Sequence, residues 1–390
     1  MSISQRFNYC IDSPQTDRIV TPSVVVSGWI ICDGGQAIAD LNLRTTSGNY
    51  SRPLNSVSRP DVEAIYPDQS AMGFQQILSI LELPTQESYF ISFSMAGEPC
   101  QFPINLSISE EAIATLRKAK AQKINKIKQV LQCPLCGSAV LTAVERRLHC
   151  DNCQSEFSFN DSCYNFLNSE LIEKGKIKPT ENVSAFGYDP VATEYISQFA
   201  DGLILDNGCG LKNKYYENIV NFEIVEYPTT DVVGIGENLP FKSESFDAVF
   251  SFLVLEHVRN PFDCAREILR VVKPGGTIYA IAPFLQPFHG YPDHYYNMTS
   301  NGLKNLFADR VEIVKCDVYP KALPIACLTW FLNAYLRGLP QPVAEKFKNM
   351  KVGELLGHHR EYNDSDFVTE LSPKVNDELA CANYLIGRKI

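Results

Sequence analysis

The sequence predicts an α/β protein in which a doubly wound, mostly parallel sheet follows a β-sandwich-like domain and a small cysteine module. Residues 181–390 alternate apolar strand patterns with amphipathic helix patterns, as parallel sheets with crossover helices do. Residues 1–106 contain short alternating runs separated by turn signals, which are typical of an antiparallel sandwich. Residues 132–170 carry four cysteines in two C-x2-C pairs, and residues 107–131 connect these two parts.

The composition narrows the class of protein. The chain has 390 residues, of which 45% are hydrophobic and 21% are charged, as in globular proteins with two or three domains. Its net charge of −10 lacks the basic balance of most nucleic-acid-binding proteins, so we expect no nucleic-acid partner. No apolar run is long enough to span a bilayer and no signal-peptide pattern begins the chain, so we expect a cytoplasmic protein. Thirteen scattered cysteines favour reduced thiols over a disulfide framework.

The N-terminal strands and the connector are predicted from periodicity. Within residues 1–106 we expect strands at residues 24–31, 37–44, 75–83 and 89–95. The connector reads as one helix that begins after Ser109, a favourable N-cap residue. Its lysine-rich face is expected to be solvated, with an anionic surface as the alternative partner.

The cysteine pairs CPLC (Cys133 and Cys136) and CDNC (Cys150 and Cys153) are separated by thirteen residues. Two such knuckles present four thiolates to one point, which predicts a tetrahedral zinc ion. Four thiolates leave no open coordination position, so the zinc is expected to be structural and the module to be a zinc ribbon. The ribbon resembles those that precede or partner methyltransferase domains, including the small activator subunit of tRNA and protein methyltransferases.

The stretch LILDNGCG predicts the first strand of the C-terminal sheet and a glycine turn that lets the backbone approach a ligand. The next strand, residues 221–227, is expected to end in an acid, Glu226. Only three residues then separate Tyr227 from Asp231, whereas a parallel crossover needs about a dozen. We therefore expect the helix between the second and third strands to be missing.

The ordered motifs LDNGCG, ENLPF, FDAVFS, LEHV and LRVVKPGG resemble class I S-adenosylmethionine-dependent methyltransferases of the type 11 kind. The resemblance implies that the glycine turn binds the methionine part of the cofactor, that Glu226 binds the ribose, that backbone near ENLPF faces the adenine, and that one leucine packs near the sulfonium. The implied cofactor-binding residues are Asp206, Asn207, Gly208, Gly210, Glu226, Gly236, Glu237, Asn238 and Leu253. An acid that often precedes the ENLP stretch is Ile235 here, and Asp231 is a second candidate for the ribose.

The segment after the fifth strand, residues 284–303, is rich in polar aromatic residues. It follows the carboxyl edge of the sheet, where substrates bind in open α/β folds. His289, His294 and Tyr295 are therefore candidate catalytic residues, with a histidine taking the proton from a hydroxyl acceptor. The alternative is that they only fold a lid. His257 in LEHV has either a structural or a catalytic role.

The last quarter of the chain carries four further predictions. We expect a sixth strand at residues 311–314, and an apolar helix within residues 322–339 that is buried in a core or a subunit interface, with contact to a membrane surface as the alternative. The polar segment 341–373 is expected to be mobile. Residues 380–389 are expected to return as an antiparallel strand.

The combined prediction is an S-adenosylmethionine-dependent methyltransferase that acts on a small molecule, a sugar or a glycan intermediate. The acceptor class comes from the β domain, which resembles small β domains of bacterial glycan-modifying enzymes. Two alternatives remain: an RNA methyltransferase that recognises its substrate through the ribbon, and a non-catalytic scaffold with a methyltransferase fold. The sequence does not specify an oligomeric state.

Overall fold

The N-terminal region contains two four-stranded antiparallel sheets. The structure is a computed structural model that describes residues 7–32, 37–66, 69, 71–178, 187–290, 293–307 and 310–382. The strand orders are β1-β3-β7-β6 and β5-β4-β8-β9, and β10 and β2 form a separate parallel pair. The elements are β1 (Phe7–Ser13), β2 (Arg18–Ile19), β3 (Ser23–Cys32), β4 (Ile38–Thr45), β5 (Ser51–Pro53), β6 (Asn55–Val57), α1 (Pro60–Ile65), β7 (Ala71–Ser79), β8 (Tyr89–Met95), β9 (Glu98–Ile104) and β10 (Ser107–Ile108).

The two N-terminal sheets share one hydrophobic core. Val26 and Phe74 from one sheet and Leu43 and Ile91 from the other belong to the same cluster of buried residues. Burial alternates along β8, where every second side chain points to this core. The predicted runs at residues 24–31, 37–44 and 89–95 are therefore strands, and the run at residues 75–83 lies partly in β7.

The connector is one long helix, α2 (Glu110–Val130), which begins as the sequence predicts. The Ser109 hydroxyl accepts a hydrogen bond from the Ala112 N–H at 3.3 Å, which caps the first turn. The expectation of a solvated lysine face is wrong for two residues, because Lys120 and Lys123 are only 4% and 1% exposed. Both face the C-terminal domain, so the helix is held there by buried charges.

One nine-stranded mixed sheet joins the cysteine module to the C-terminal domain. Its order is β11-β12-β13-β14-β17-β16-β15-β18-β19. The pairs from β11 to β14 are antiparallel, and all pairs from β14 to β19 are parallel. The strands are β11 (Leu141–Val144), β12 (Arg147–Cys150), β13 (Glu156–Phe159), β14 (Tyr164–Asn165), β15 (Ile204–Asn207), β16 (Ile219–Glu223), β17 (Val232–Val233), β18 (Phe246–Phe252) and β19 (Val272–Ile281).

Helices cover both faces of the parallel strands. On one face Ile204 and Ala248 pack with Ile196 of α4, and on the other face Leu205 packs in a cluster with Ile268 of α5. Neighbouring residues of one strand thus pack into two cores on opposite faces of the sheet, as a strand covered on both sides requires. The helices before and after these strands are α3 (Ser169–Gly175), α4 (Pro190–Gln198), α5 (Pro261–Val271) and α6 (Ser300–Phe307).

Two crossovers lack a helix. Residues 224–231 form a tight turn between β16 and β17, as the short spacing predicts, and residues 208–218 also connect β15 to β16 without a helix. Thr229 and Thr230 are fully buried in the turn. The Lys120 Nζ donates hydrogen bonds to the carbonyl oxygens of Thr230 at 3.1 Å and Ser162 at 3.2 Å. The connector helix therefore packs where the second crossover is shortened.

The C-terminal predictions fare less well. Residues 311–314 form no strand, and Val314 is 93% exposed. The segment at residues 341–373 contains helices and 3-10 turns, and its mobility stays a prediction. The proposed last strand lies almost wholly outside the described residues. The helical elements are α7 (Pro324–Arg337), α8 (Gln341–Lys348), α9 (Asp366–Thr369) and α10 (Pro373–Glu378), with 3-10 turns at Val352–Leu355 and His359–Tyr362.

The apolar helix α7 exists, but it is not buried in the core of this chain; its burial in a subunit interface stays a prediction, with contact to a membrane surface as the alternative. Only Ala334 is fully buried, whereas Ile325 and Leu328 are 64% and 52% exposed. Among the described residues, no helix is both long and apolar enough to cross a bilayer.

Candidate cofactor and acceptor site

The glycine turn lies at the carboxyl end of β15, as predicted. Gly208 and Gly210 have φ values of +76° and +61°, which other residues adopt only at a cost. A Cβ atom on Gly208 would lie 2.3 Å from the Val254 side chain, which follows β18. The turn is therefore packed directly against the end of the neighbouring strand, and only glycine fits at position 208.

Asp206 in β15 is 1% exposed, and only one of its two carboxylate oxygens has a hydrogen-bond partner among the described residues. Its Oδ2 accepts a hydrogen bond from the Tyr188 hydroxyl at 2.6 Å and pairs with the Lys212 Nζ at 2.9 Å. Its Oδ1 is buried and has no hydrogen-bond partner among the described residues. An unpaired buried carboxylate oxygen is costly, so the turn retains one acceptor for a ligand.

The acid that ends the second strand is Glu223, not Glu226, because β16 ends at residue 223 and not at residue 227 as the sequence pattern indicates. The Glu223 carboxylate accepts hydrogen bonds from the N–H groups of Gly210 at 2.8 Å and Ile224 at 2.7 Å. Burial raises the pKa of Glu223. Glu226 is exposed and accepts a hydrogen bond from Asn160 at 3.0 Å. Glu223 is thus tied to the glycine turn, and Glu226 is not.

Asp231, the second candidate for a ribose contact, already has partners. It forms an ion pair with Lys123 at 2.9 Å, and both side chains are 1% exposed. It also accepts hydrogen bonds from the Asn221 N–H at 2.9 Å and from the Tyr215 hydroxyl. Burial lowers the pKa of Lys123 to about 8, although Asp231 opposes this shift. Asp231 therefore fastens the connector helix to the sheet.

The ENLP stretch is buried, and its side chains contact other parts of the chain. A Cβ on Gly236 would lie 2.9 Å from the Cys264 Sγ. Asn238 donates a hydrogen bond to the carbonyl oxygen of Pro134 at 2.9 Å, which joins it to the first cysteine knuckle. Glu237 is 8% exposed. The Asn207 side chain, at the end of β15, contacts Cys264 at 3.5 Å.

Leu253 follows β18 in a left-handed conformation with φ of +56°. Its N–H donates to the carbonyl oxygen of Ile281 at 2.9 Å, which continues the pairing with β19. A non-glycine residue in this region costs about 1–2 kcal/mol, and such strain collects at functional sites. The strained turn directs the chain from β18 to Val254, which contacts the glycine turn.

The predicted catalytic residues lie in one loop that wraps around the LEHV segment. The ring centroids of His289 and His294 are 4.4 Å apart, and those of His257 and His289 are 5.2 Å apart. The N–H groups of Tyr295 and Tyr296 donate to the carbonyl oxygen of Glu256 at 2.7 and 3.3 Å. The structure therefore brings His257, His289 and His294 together. Tyr291 lies outside the described residues.

The three histidines differ in their hydrogen bonds. His294 accepts at Nδ1 from the His289 N–H at 3.2 Å and contacts Asn297 through Nε2 at 3.0 Å, so both nitrogens are used. Burial lowers the pKa of His294, and burial lowers that of His257 to about 4. The Tyr295 hydroxyl donates to Asp293 at 3.3 Å, and burial raises its pKa. His289 is the predicted catalytic residue that keeps one ring nitrogen without a described hydrogen bond.

Sequence reasoning missed Glu256. This residue is 0% exposed, and neither carboxylate oxygen has a hydrogen-bond partner in the described part of the chain. Burial raises its pKa to about 8, and only its own backbone N–H opposes the shift. The available signal was an acid that follows a buried strand after three further apolar residues.

The cysteine module gathers its four sulfur atoms as the spacing predicts. All four Sγ atoms lie within 4.8 Å of one another, with 3.6 Å between Cys133 and Cys153 and 3.5 Å between Cys136 and Cys150. Four thiolates at about 2.3 Å from one zinc ion lie roughly 3.8 Å apart. The geometry fits a tetrahedral ion.

The match to a known protein family falls on β16, β17, β18 and most of β19, and it begins just after β15. Residues 209–280 match the model of a methyltransferase domain. Together with the parallel order β17-β16-β15-β18-β19, this match identifies a methyltransferase-like α/β domain with a large mixed sheet. That is the class of protein that the fold and the site define.

Similar curated proteins align only over short stretches. A tRNA U34 carboxymethyltransferase of Desulfotalea psychrophila is 38% identical over 69 residues, which cover 17% of this chain and 21% of that protein. The protein of the same name from Cellvibrio japonicus is 32% identical over 110 residues, covering 22% and 33%. An uncharacterized methyltransferase of Mycobacterium tuberculosis is 42% identical over 57 residues, covering 14% and 22%. The chain thus spans a third or less of the length of these relatives.

Two solved structures resemble the chain in part. One is a methyltransferase of Thermotoga maritima, described as a possible histamine N-methyltransferase, with 24% identity and a TM-score of 0.22 over 28% of this chain and 65% of that one. The other is a [4+2]-cyclase with 20% identity and a TM-score of 0.23 over 33% and 60%. At these TM-scores neither structure bears on the acceptor of this chain.

Proposed function

We propose that this protein is an S-adenosylmethionine-dependent methyltransferase. The observation that carries the proposal is the unpaired Oδ1 of Asp206, which is buried beside two left-handed glycines within the methyltransferase-like sheet. A cationic or N–H group of a ligand would satisfy this oxygen. Gly208 and Gly210 allow the backbone to approach the same ligand closely. The residues present therefore fit the methionine part of the cofactor.

The rest of the cofactor would be held by neighbouring groups. Glu223 replaces Glu226 as our candidate for the ribose hydroxyls, because each of its oxygens retains lone pairs beyond its one backbone hydrogen bond. The backbone at residues 236–238 remains the candidate for the adenine, and Leu253 for contact near the sulfonium. When bound, the cofactor supplies a methyl group on a positively charged sulfur.

The chain's own contribution to catalysis would be orientation and proton handling. In-line methyl transfer requires the acceptor and the methyl carbon to be aligned, which the packed turn and the loop at residues 284–303 can provide. Within that loop we assign proton transfer to His289 and positioning to His294 and Tyr295. The hydrogen bonds of His294 at both nitrogens and of Tyr295 to Asp293 support this division.

The acceptor we favour is a small molecule, a sugar or a glycan intermediate. The net charge of −10 and the pairing of the ribbon arginines support this choice. Arg147 pairs with Glu156 at 2.6 Å, and Arg146 lies 3.9 Å from Asp161. These pairs partly neutralise the basic patch that an RNA-binding ribbon needs.

An RNA acceptor is the second candidate, because two similar proteins are named as tRNA U34 carboxymethyltransferases. The family match at residues 209–280 begins in the glycine turn and ends in β19, so it covers most of the cofactor half of the sheet but not β15. Enzymes with different acceptors can share this half, since function depends on sites added to a common fold.

We also propose that Cys133, Cys136, Cys150 and Cys153 bind one structural zinc ion. Four protein ligands close the coordination sphere, and the knuckle is joined to the sheet through Asn238. The metal would then stabilise the domain rather than take part in methyl transfer.

Calorimetry with S-adenosylmethionine tests the cofactor assignment. We expect the wild type to bind the cofactor, and Gly208→Val to lose binding because its side chain would overlap Val254. Asp206→Ala should bind at least about tenfold more weakly, because it removes the buried acceptor. Gly187→Ala is the matched control, since a Cβ there meets nothing within 4 Å. A wild type that binds no cofactor would overturn the enzyme proposal and favour a non-catalytic scaffold.

A transfer assay then identifies the acceptor class. The wild type and Gly208→Val are incubated with tritiated S-adenosylmethionine and separate RNA, protein, and glycan or lipid fractions of a lysate. We expect label in the small-molecule or glycan fraction with the wild type alone. Label confined to RNA, together with a salt-dependent gel shift, would replace the favoured acceptor with the second candidate.

A further inference from the structure

We propose that Glu256, His257 and His289 bind a divalent transition-metal ion at a site separate from the cysteine ribbon. One ligand atom from each of these residues lies within 4.8 Å of the others. Glu256 and His257 follow β18, and His289 lies in the loop that follows β19. The site therefore exists only because the fold brings these two segments together.

The distance between the first two groups suits shared coordination better than a direct contact. The His257 Nε2 lies 3.9 Å from the Glu256 Oε1. This separation is too long for a hydrogen bond. Two ligand atoms that each lie about 2.0–2.2 Å from one ion are roughly 3–4 Å apart. One ion could therefore lie between these two atoms and be coordinated by both.

Both histidine rings are held in the orientation that metal ligands adopt. The Nδ1 of His257 is 3.0 Å from the carbonyl oxygen of Asp293, and the Nδ1 of His289 is 2.8 Å from that of Pro287. A carbonyl oxygen can only accept, so each Nδ1 carries the proton and each Nε2 presents a lone pair. A donor bond from the other ring nitrogen to a backbone carbonyl is the usual support of a metal-binding histidine.

The carboxylate supplies the second, independent observation. Glu256 is 0% exposed, and both of its oxygens lack hydrogen-bond partners among the described residues. Burial of an unpaired carboxylate is strongly unfavourable, and a coordinated cation is one of the few ways to compensate it. No described lysine or arginine forms an ion pair with Glu256.

The surrounding chain is shaped to keep the cluster together. Gly290 has φ of +87°, and a Cβ there would lie 2.2 Å from the His257 Cε1. Glycine at this position therefore lets the loop cross the His257 ring and bring His289 beside it. The ring centroid of Trp330 in α7 lies 5.0 Å from that of His289, so Trp330 lines one side of the proposed metal site.

The ligand set indicates the kind of ion and its use. Two imidazoles and one carboxylate suit zinc, iron, cobalt or nickel better than magnesium, and three protein ligands leave positions open for a substrate oxygen. The His257 N–H donates to the carbonyl of Val254, whose side chain contacts Gly208. The metal site is therefore linked through four residues to the glycine turn.

The use of this ion in methyl transfer rests on the proposed function. An acceptor hydroxyl bound to the ion would have a lowered pKa and would release its proton to water. Its oxygen would then bond to the methyl carbon as the carbon–sulfur bond breaks, leaving the electron pair on sulfur. In this scheme His289 acts as a ligand instead of the base.

Cobalt(II) binding by the full-length protein tests the site. Zinc content is measured first, so that an occupied ribbon is established, and Co2+ is then added while visible absorption and bound metal are followed. We expect one further equivalent of Co2+ without the sulfur charge-transfer absorption of a cysteine site. Glu256→Gln and His289→Gln should bind Co2+ at least about tenfold more weakly, whereas the exposed His359→Gln should match the wild type.

Each outcome is decisive for one of the two proposals. No additional Co2+ in a folded wild type that binds S-adenosylmethionine would overturn the metal site and leave the methyltransferase proposal intact. Equal Co2+ binding by the wild type, Glu256→Gln and His289→Gln would also overturn the site. Specific Co2+ binding without cofactor binding would retain the metal site and overturn the methyltransferase proposal.

Discussion

The four cysteines and the Glu256, His257 and His289 cluster both gather potential metal ligands, but the chain builds them differently. The cysteines come from two short knuckles, one between α2 and β11 and the other between β12 and β13, and together they offer four sulfur ligands. The other cluster joins the end of one strand to a loop beyond the next strand, and it offers three ligands of two kinds. A closed set can only stabilise a fold, whereas an open set can also receive a substrate.

The largest effect is expected when the four-cysteine site, whose ligands close the coordination sphere, is changed. Cys150 is fully buried at the end of β12, and its replacement in Cys150→Ser removes one of four ligands. We expect loss of one equivalent of zinc and about 5 kcal/mol or more of stability, because metal binding and folding are coupled in such modules. Elemental analysis and urea denaturation measure both quantities. Exposed Cys10→Ser is the control, and a Cys150→Ser variant with unchanged metal and stability would contradict a structural ion.

The attachment of the connector helix α2 to the sheet can be tested through its buried ion pair. Lys123→Met leaves Asp231 as a buried charge without its ion-pair partner, so we expect a loss of about 3–5 kcal/mol in the free energy of unfolding. Urea denaturation measures the loss. Lys126→Met on the exposed side of the same helix should change stability by about 0.5 kcal/mol or less. Equal stability of the two variants would mean that the buried pair does not fasten α2.

Metal binding by the Glu256, His257 and His289 cluster should be weakened by the addition of a single methyl group. Gly290→Ala introduces a Cβ that overlaps His257 and a backbone conformation unfavourable for alanine. We expect about 1–3 kcal/mol of destabilisation and weaker Co2+ binding, measured by thermal unfolding and by absorption. Gly302→Ala in α6 meets its nearest atom at 3.5 Å and should be neutral or slightly stabilising. If Gly290→Ala bound Co2+ normally, the loop would not position His289.

The smallest effect is expected on the ribbon surface. Arg147→Ala breaks an ion pair whose side chains are 71% and 52% exposed, so the melting temperature should change by only about 1–2 °C. Metal content should not change. Retention of labelled RNA on a filter, compared between this variant and the wild type, gives the functional readout. A clear loss of RNA binding would show that the ribbon contacts RNA and would favour the second acceptor class.

The two clusters also illustrate which features of the fold and the site could be predicted from the sequence. Local features were predictable: the cysteine spacing, the strand and turn at Asp206 and Gly208, and the missing helix before Asp231. The sequence predicts that the second strand runs to residue 227 with Glu226 as its acid, because an apolar pattern indicates the existence of a strand better than its last residue. Glu223 lies three residues before Glu226, and it is the acid whose carboxylate accepts the hydrogen bond from the Gly210 N–H.

Features that depend on distant partners were not predictable. Lysines on a helix usually face solvent, and only the position of Asp231 explains why Lys123 is buried. Glu256 stands beside His257 in the chain, but its significance depends on His289, which reaches it through the loop after β19. The exposure of Ile325 and Leu328 on α7 likewise follows from how the helices pack and not from their composition.

The pairing of β14 with β17 has a consequence for the order of folding. The ribbon strands are complete by Asn165, whereas their parallel partner begins at Val232, so synthesis delivers the ribbon first. A ribbon already folded around its metal would offer a free strand edge on which the later strands could assemble. The same pairing then covers that edge, so the finished sheet does not present it to other chains as a template for aggregation.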